Sequence, residues 1–438
     1  MRTLIVGHGG RESALAAAMA GDSELHAFVG HENPSILWSV SASGGGHRIG
    51  DVCDGAAIAA FARERGVDIA MVSSDEPLKA GVVDALAAAG VAAVGPTSAG
   101  AEIEWNKVFS RELLAEIAPD SAPRHVVATD EDSARSAIAD FAETPVAVKP
   151  QGLTGGKGVK VMGPHLADHD EALAYALSLV RAGGAALVEE RIEAPEFTIQ
   201  AVSDGRTVVC PPATYDFPYR FDGDRGPGTG GMGSLSLPTS TLPFMTDAHY
   251  EEAVHIIELA IARLAAEGRH FSGVMNSGFF ATAGGVRVIE FNARFGDPEC
   301  MNIMALLRGS WTAAMRSIVA GGLAPDDVEL APEASLVLYL VSPDYALGGG
   351  EPREFTLDAD AIRAQGVAVH FSSAVQVGPR RYRTVGTSRA VALVTTAATL
   401  EECRARLAAC ARSVPELEWR ADIGADSYLE SLAAHARA

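Results

Sequence analysis

A chain of 438 residues has room for two to four domains with sizeable cores. Its 35 basic against 56 acidic side chains leave a formal charge of −21, which argues against a general nucleic-acid binder, since such a protein needs a basic surface. Hydrophobic residues make up 48% and aromatics only 6%, so the core is expected to consist mainly of Ala, Val, Leu and Ile.

Cys53, Cys210, Cys300, Cys403 and Cys410 are widely spread and include no C-x-x-C pair. Such usage fits reduced thiols in a cytoplasm and offers no zinc site. The first apolar run, Thr3 to Val6, is too short for a signal segment, and no run approaches a membrane span. A soluble cytoplasmic protein is expected.

In chain order, Arg2 to Val6 reads as a strand, followed by Gly7-His-Gly9-Gly10-Arg11-Glu12 and an Ala-rich helix from Ser13 to Ala20. Strand, glycine-rich turn and helix open a doubly wound α/β domain. A dinucleotide fingerprint wants a small residue where Glu12 stands, which argues against NAD. Strands at 27–29, 68–72 and 91–94 alternate with helical patterns at 54–65 and 78–89. They predict a parallel sheet whose ligands lie beyond the strand ends at Gly7–Glu12, Gly30–Ser35 and Ser73–Glu76.

Residues 101–118 read as one helix carrying Lys107. The strand Val146 to Lys149 then runs into Gly152-Leu-Thr-Gly155-Gly156-Lys157-Gly158. Backbone N–H groups of such a loop suit phosphate oxygens, with Lys149 and Lys157 as counter-charges; an ordinary hairpin is the plainer reading. The strand 186–190 ends in Glu189 and Glu190, and Glu196 follows. These carboxylates form either a salt-bridged face or contacts to a ribose and an adenine. Asp216 to Gly233 lacks apolar periodicity and reads as a long functional loop. A helix at 247–266 precedes a strand at 273–280, which pairs with Val286–Phe291. Strands at 335–341, 367–371 and 390–394 with a helix at 399–412 close the chain as a small α+β domain.

In Val286-Arg-Val-Ile-Glu290-Phe-Asn292-Ala-Arg294-Phe-Gly-Asp297-Pro-Glu299, strand alternation puts Val288, Glu290 and Asn292 on one face and Ile289 and Phe291 on the other. Oxygen ligands at Glu290 and Asn292 suit Mg²⁺, and Arg294 suits a transferring phosphoryl group. A solvated edge strand is the alternative.

These motifs together, with Gly226-Pro-x-Thr-Gly-Gly-Met-Gly between them, resemble the phosphoribosylamine–glycine ligase family of the ATP-grasp superfamily from end to end. The resemblance implies an ATP-grasp fold with an N-terminal Rossmann-like domain (1–100), a connecting helix (101–122), a lid (123–190), a central domain (191–325) and a C-terminal α+β domain (326–438). It implies an enzyme that uses ATP and Mg²⁺ (or Mn²⁺) to phosphorylate a small carboxylate, an amino acid, which an amine then attacks to give an amide. A monomer is implied, a dimer being the alternative.

Carried over by position, Glu290 and Asn292 match the metal ligands. Lys107, Lys149, Gly155, Gly156, Lys157 and Gly158 match the phosphate contacts. Glu189, Glu190 and Ile192 match the adenine hinge, and Glu196 the ribose carboxylate. Arg294, Lys157 and Asp297 are the catalytic candidates. Gly9, Gly10, Arg11, Glu32 and Asp75 at the strand ends, with Asp216, Gly230, Gly231, Met232 and Gly233, are the substrate candidates.

Departures gather where the family handles phosphoribosylamine. Its Gly-Asn-x-Gly-Thr is Glu32-Asn33-Pro34-Ser35-Ile36 here, and the His after Gly-Gly-Arg-Glu is Ser13. Ser73-Ser74-Asp75, Gly228, Ser234-Leu235 and Phe371-Ser-Ser-Ala374 also differ from the pattern. An anionic Glu32 and the N–H-less Pro34 disfavour a phosphate. The main expectation is therefore a ligase with a different amine acceptor. The alternatives are a true phosphoribosylamine–glycine ligase and a catalytically silent ATP sensor.

Overall fold

In the computed structural model, which describes residues 1–153 and 158–435, the chain opens with β1 (Arg2–Val6), buried from Thr3 onward. Helix α1 (Gly10–Ala20) starts immediately after Gly7-His8-Gly9, so Arg11 and Glu12 lie in its first turn. Gly7 has φ +121°, a conformation that favours glycine. Glu12 Oε2 accepts the Gly9 N–H at 2.8 Å, so a carboxylate closes the turn where a dinucleotide-binding loop has a small residue.

The N-terminal unit continues through β2 (Glu24–Val29), α2 (Pro34–Ser43), β3 (His47–Ile49), α3 (Gly55–Arg65), β4 (Ile69–Val72), α4 (Asp75–Lys79), α5 (Val82–Ala88) and β5 (Ala92–Val94). The strands form a parallel five-stranded sheet in the order β3-β2-β1-β4-β5. Sequence pattern gives four of them; β3 is a three-residue edge strand, His-Arg-Ile, without alternation. The single helix expected over 78–89 breaks into α4 and α5 at Gly81, which has φ +80°.

The helix expected over 101–118 is also two, α6 (Glu102–Trp105) and α7 (Lys107–Ile117). Asn106 leaves the helical region, and its side chain accepts the Phe109 N–H to cap α7. The freed Lys107 N–H donates to Gln151 O at 3.0 Å, which ties the break to the start of the glycine-rich loop. Next come β6 (His125–Ala128), α8 (Glu131–Asp140), β7 (Val146–Pro150), β8 (Lys160–Val161), α9 (His169–Arg181) and β9 (Ala186–Glu190). They make a four-stranded antiparallel sheet, β6-β9-β7-β8, with a core of its own around Phe141, Val146 and Val188.

The third region runs through β10 (Glu196–Ser203), β11 (Val208–Val209), β12 (Thr214–Asp216), β13 (Tyr219–Phe221), β14 (Arg225–Gly228), β15 (Gly233–Ser236), α10 (Asp247–Ala266), β16 (Gly273–Thr282) and β17 (Gly285–Asn292). Helices α11 (Glu299–Leu306) and α12 (Trp311–Ala320) lead to β18 (Ala334–Leu340), β19 (Glu354–Thr356), α13 (Ala359–Arg363), β20 (Ala368–Phe371), β21 (Ala374–Gly378) and β22 (Arg381–Thr384). The chain ends with β23 (Val391–Ala397), α14 (Leu400–Ala411) and α15 (Asp426–His435). One nine-stranded sheet unites these segments in the order β17-β16-β10-β12-β15-β18-β23-β20, with β11 beside β10. The last three strands of that order come from the C-terminal part of the chain. Strands β19, β22 and β21 form a separate small sheet.

Residues 216–233 are more ordered than their composition suggests. They hold the hairpin β13–β14, turned at Asp224 with φ +54°. The missing periodicity has a cause distant in sequence: the hairpin is clamped by polar groups rather than by an apolar face. The buried Arg420 bonds Asp224 and Tyr219 O at 3.0 Å each, and Tyr428 Oη bonds Asp224 at 2.6 Å.

Candidate active site

A cleft of about 770 Å³ lies between the four-stranded sheet and the nine-stranded one. Ile289, Glu290 and Asn292 line it, while Val288 and Phe291 are buried in the core beneath. The faces therefore differ from simple alternation, which put Val288 beside Glu290. A bulge is the reason: Gly278 pairs with Glu290 but Phe279 pairs with Val288, leaving Ile289 extra. The bulge turns Ile289 and Glu290 outward together and keeps Asn292 on the cleft side.

Asn292 Nδ2 donates to Asn276 O and to Glu290 Oε1, each at 3.3 Å, so the carboxylate and the carboxamide are neighbours. Arg294 reaches Asn292 Oδ1 at 3.2 Å and pairs with the buried Glu104 at 3.1 Å. Burial pushes the Glu104 carboxyl up, and Arg294 opposes that shift. One carboxylate plus one amide oxygen, facing an open cleft, fits a cation such as Mg²⁺ that keeps waters and takes further ligands from phosphate. Among the described residues no three acidic, His or Cys groups cluster as a protein-only metal cage.

Beside this pair, Lys149 Nζ lies 2.6 Å from Glu189 Oε2, and Arg111 holds both oxygens of the same carboxylate. Arg111 also donates to Ile289 O at 2.5 Å, which anchors the bulge. Burial raises the Glu189 pKa, but Arg111 and Lys149 outweigh it and bring the group down to about 2. The Glu189 side chain is thus committed to cations. Glu190 pairs with Arg287 and accepts the Arg124 N–H at 2.9 Å. Ile192 is half-buried, and Glu196 lines the cleft, where desolvation and then Glu290 push its carboxyl up to about 7. Lys107 Nζ donates to Gly152 O at 2.9 Å; burial lowers its pKa, with Glu290 opposing. Gly158 O accepts from Tyr175 Oη at 2.7 Å. Gly155, Gly156 and Lys157 lie outside the described residues.

The far end of the cleft is acidic. Asp216 and Glu299 both line it and both are pushed above the ordinary carboxylate range, by burial first and, for Asp216, by the Glu299 charge next. Asp216 Oδ1 is buried without a hydrogen-bond partner. Gly231 passes so close that a Cβ there would lie 2.5 Å from Asp216 Oδ1. Met232 is fully buried, and Gly233 opens β15.

Asp297 connects this end to the N-terminal sheet. Its Oδ2 accepts the Arg11 N–H at 3.4 Å, and its Oδ1 accepts from Tyr339 Oη at 2.7 Å. Arg389 pairs with Asp297 Oδ1 at 3.3 Å and donates to the carbonyls of Gly230, Gly231 and Asp297. Burial works against the Asp297 charge, but Arg389 and Arg11 keep its pKa below the ordinary value. Gly10 packs on Tyr339, with only 2.1 Å between a Cβ there and Tyr339 Oη. Arg11 binds Glu12, Ser74 Oγ and Phe295 O, so it is a strut between the strand ends of β1 and β4 and the motif after β17. Asp75 is half-buried at the start of α4, and Glu32 is exposed just before α2. Sequence motifs alone did not single out Glu104, Arg111, Tyr339 or Arg389. Each acts from a separate segment, and only three-dimensional contact reveals it.

Residues 1–104 match the family described as "Phosphoribosylglycinamide synthetase, N domain", and residues 105–300 match its "ATP-grasp (A) domain". The phosphoribosylamine–glycine ligase of Thermococcus kodakarensis is 38% identical over 425 residues, covering 97% of this chain and 96% of that protein. The enzyme of the same name from Methanoregula boonei is 37% identical over 443 residues, covering 99% of each chain. Among solved structures, the phosphoribosylamine–glycine ligase of Thermotoga maritima superposes with a TM-score of 0.79 at 22% identity, over 97% of this chain and all of that one. A biotin carboxylase domain from Hydrogenobacter thermophilus, solved with MgADP and bicarbonate, gives 0.69 at 15% identity over 100% and 94%.

These relatives overturn the expectation of a different amine acceptor. The structure supplies the physical reason. Three of the departures, Ser13, Ser35 and Phe371, form one packing seam around Asn33, which the family pattern shares. Asn33 caps α2 by accepting the Ser35 and Ile36 N–H groups, and its Nδ2 donates to Phe371 O at 2.7 Å. Ser13 Oγ donates to the same carbonyl at 2.5 Å, and Ser35 Oγ accepts the Phe371 N–H at 2.9 Å. Pro34 occupies the first helical position, where its missing N–H has no helical partner to lose. Ile36 is in the core, and Glu32, being exposed, has its charge screened by solvent. Ser234 on β15 bonds the buried Asn302 of α11, and Leu235 is buried. Substitutions clustered by mutual contact need no new ligand to explain them.

Proposed function

Because the chain belongs to the phosphoribosylamine–glycine ligase family of ATP-grasp enzymes, we propose that it joins glycine to phosphoribosylamine in the cytoplasm, with ATP converted to ADP and phosphate. It is a ligase that forms an amide bond. The end-to-end match carries the substrate reading, since it includes the N-terminal sheet whose strand ends are where such a fold meets a small ligand.

ATP occupies the cleft, its phosphates met by Lys107, Lys149 and Lys157 and by backbone N–H groups of the loop at 152–158. Glu290 and Asn292 would hold Mg²⁺, which when bound neutralises charge on the phosphate oxygens. The glycine ammonium sits between Asp216 and Glu299. The buried Glu299 and the half-buried Asp216, whose Oδ1 is buried and orphaned, favour a cation between them. Gly230 and Gly231 lie over it.

A glycine carboxylate oxygen then takes the γ-phosphoryl group and the bond to the ADP oxygen breaks, giving glycyl phosphate. Arg294, held by Glu104, faces the oxygens where charge gathers. The amine nitrogen, arriving past Gly9, Gly10, Arg11, Glu32 and Asp75, attacks the acyl carbon. The C–N bond forms, the C–O bond to phosphate breaks, and the amine loses a proton. No nucleophilic side chain is needed, because positioning and charge neutralisation suffice.

The test is ADP release from purified protein given ATP, Mg²⁺, glycine and phosphoribosylamine generated in place, with the product identified by mass spectrometry. Glycinamide ribonucleotide formed in step with ADP is the expected result. ADP release supported only by other amines would overturn the reading.

A further inference from the structure

Arg389 enters the site from the turn before β23, far in sequence from every motif, yet it meets three of the segments that the reaction uses. Its Nη1 faces the carbonyls of Gly230, Gly231 and Asp297, and its Nη2 pairs with the Asp297 carboxylate. The guanidinium stacks 4.3 Å from the ring centre of Tyr339, whose hydroxyl binds the same carboxylate. Asp297 Oδ2 faces the other way, toward Gly9 and the Arg11 N–H at the start of α1.

The geometry is a chain of contacts with a direction. At one end is the Gly230–Gly231 backbone, which passes Asp216 where the amino acid is placed. At the other is the α1 N-terminus, where the amine arrives. Arg389 is the buried tie between them, 8% exposed, and a guanidinium fork suits such a multi-carbonyl hub better than an ammonium. One rigid cation on the loop, joined to the α1 N-terminus through Asp297, fixes the glycine loop relative to the amine entrance.

We infer that Arg389 is a positioning residue that couples the two chemical steps, keeping the glycine loop seated over the acyl phosphate until the amine attacks; this rests on the amide-forming reading above. With the loop unseated, water reaches the acyl carbon, the C–O bond to phosphate breaks, and glycine and phosphate are released. ATP is then spent without amide.

The experiment is the ratio of ADP to amide in wild type, Arg389→Met and Arg389→Lys with saturating glycine and phosphoribosylamine. Wild type sets the baseline at one ADP per amide; failure to form amide there defeats the functional reading, not this one. Expected in Arg389→Met is a ratio raised at least about threefold, with the KM for ATP moved less than kcat for amide and with partial recovery in Arg389→Lys. Loss of both products in parallel, the ratio staying at one, would mean that Arg389 only supports the fold, and would overturn the inference. Should Arg389→Met fail to fold, Tyr339→Phe, which keeps the ring and removes the bond to Asp297, carries the test. A ratio above one supports coupling, and a ratio of one defeats it.

Discussion

Lys149 and Arg111 together hold both oxygens of the buried Glu189, so the lysine proposed to meet ATP is anchored by that carboxylate. Removing one member of such a group leaves uncompensated charge in the interior. Glu189→Gln should cost about 3 kcal/mol of stability and weaken ATP binding, because Lys149 loses its orientation. Urea titration with and without ATP reads both; stability within error of wild type would show that the ion pairs are dispensable.

Acid should act on the same group in a defined window. Glu189 is held at about 2 in the folded protein against about 4.3 in an unfolded chain. Its contribution is fully present above the unfolded value and disappears as pH falls through the folded one. The urea midpoint of wild type should therefore drop steeply between about pH 4 and pH 2, and that drop should be shallower in Glu189→Gln.

A second window lies higher. Burial holds His370 near 4 in place of its ordinary 6.5, and His31 near 4 through burial and the adjacent His8. Above 6.5 the neutral rings cost nothing; as pH falls from 6.5 toward 4 the unfolded chain takes up protons that the fold refuses, and stability declines. For His370 the loss is roughly 3 kcal/mol. Urea midpoints measured from pH 7 to 4 should flatten in His370→Gln, and an unchanged slope would rule out His370 as the source.

Turnover should depend on the bulged strand. Glu290→Gln keeps the shape of a cleft-facing side chain and removes the charge, so the melting temperature should hold while kcat falls by about 100-fold or more. Steady-state kinetics with Mg²⁺ and Mn²⁺ decide it, near-normal rates with either ion counting against a metal at Glu290.

Gly10 offers a steric test of the contact between α1 and β18. Gly10→Ala puts a methyl carbon 2.1 Å from Tyr339 Oη and 2.6 Å from Met301 Cε. Tyr339 Oη is held by its bond to Asp297 and cannot yield without losing it, so a loss of about 2 kcal/mol and of amide formation is expected. Pairing it with Tyr339→Phe, which removes the clashing oxygen, should recover part of the stability; a double variant no better than Gly10→Ala would place the strain elsewhere.

How far the sequence reveals this molecule depends on how local each cause is. The Glu290–Asn292 pair and the parallel sheet follow from short-range pattern and are read without coordinates. The side of the strand that Val288 faces is not, because the bulge at Ile289 is fixed by pairing with Gly278 and by Arg111, from another segment. The helix break at Asn106 is hidden for the same reason: Gln151 O supplies the partner that lets the backbone leave the helix. Arg389 sits in Thr-Ser-Arg-Ala, four residues with no motif around them. The departures at Ser13, Ser35 and Phe371 mislead when read one by one, since the contacts that unite them span more than three hundred residues.

The continuity of the large sheet bears on how the chain matures during synthesis. Strand β15 finds its second neighbour only in β18, about a hundred residues later, and β18 in turn waits for β23. While those segments are still being made, the nascent polypeptide carries an open strand edge beside half of its cleft, a species prone to aggregate. A truncated product ending before Ala334 would keep that edge permanently. Dividing the protein into two separately expressed pieces near residue 325 should therefore yield insoluble material unless both pieces are produced together.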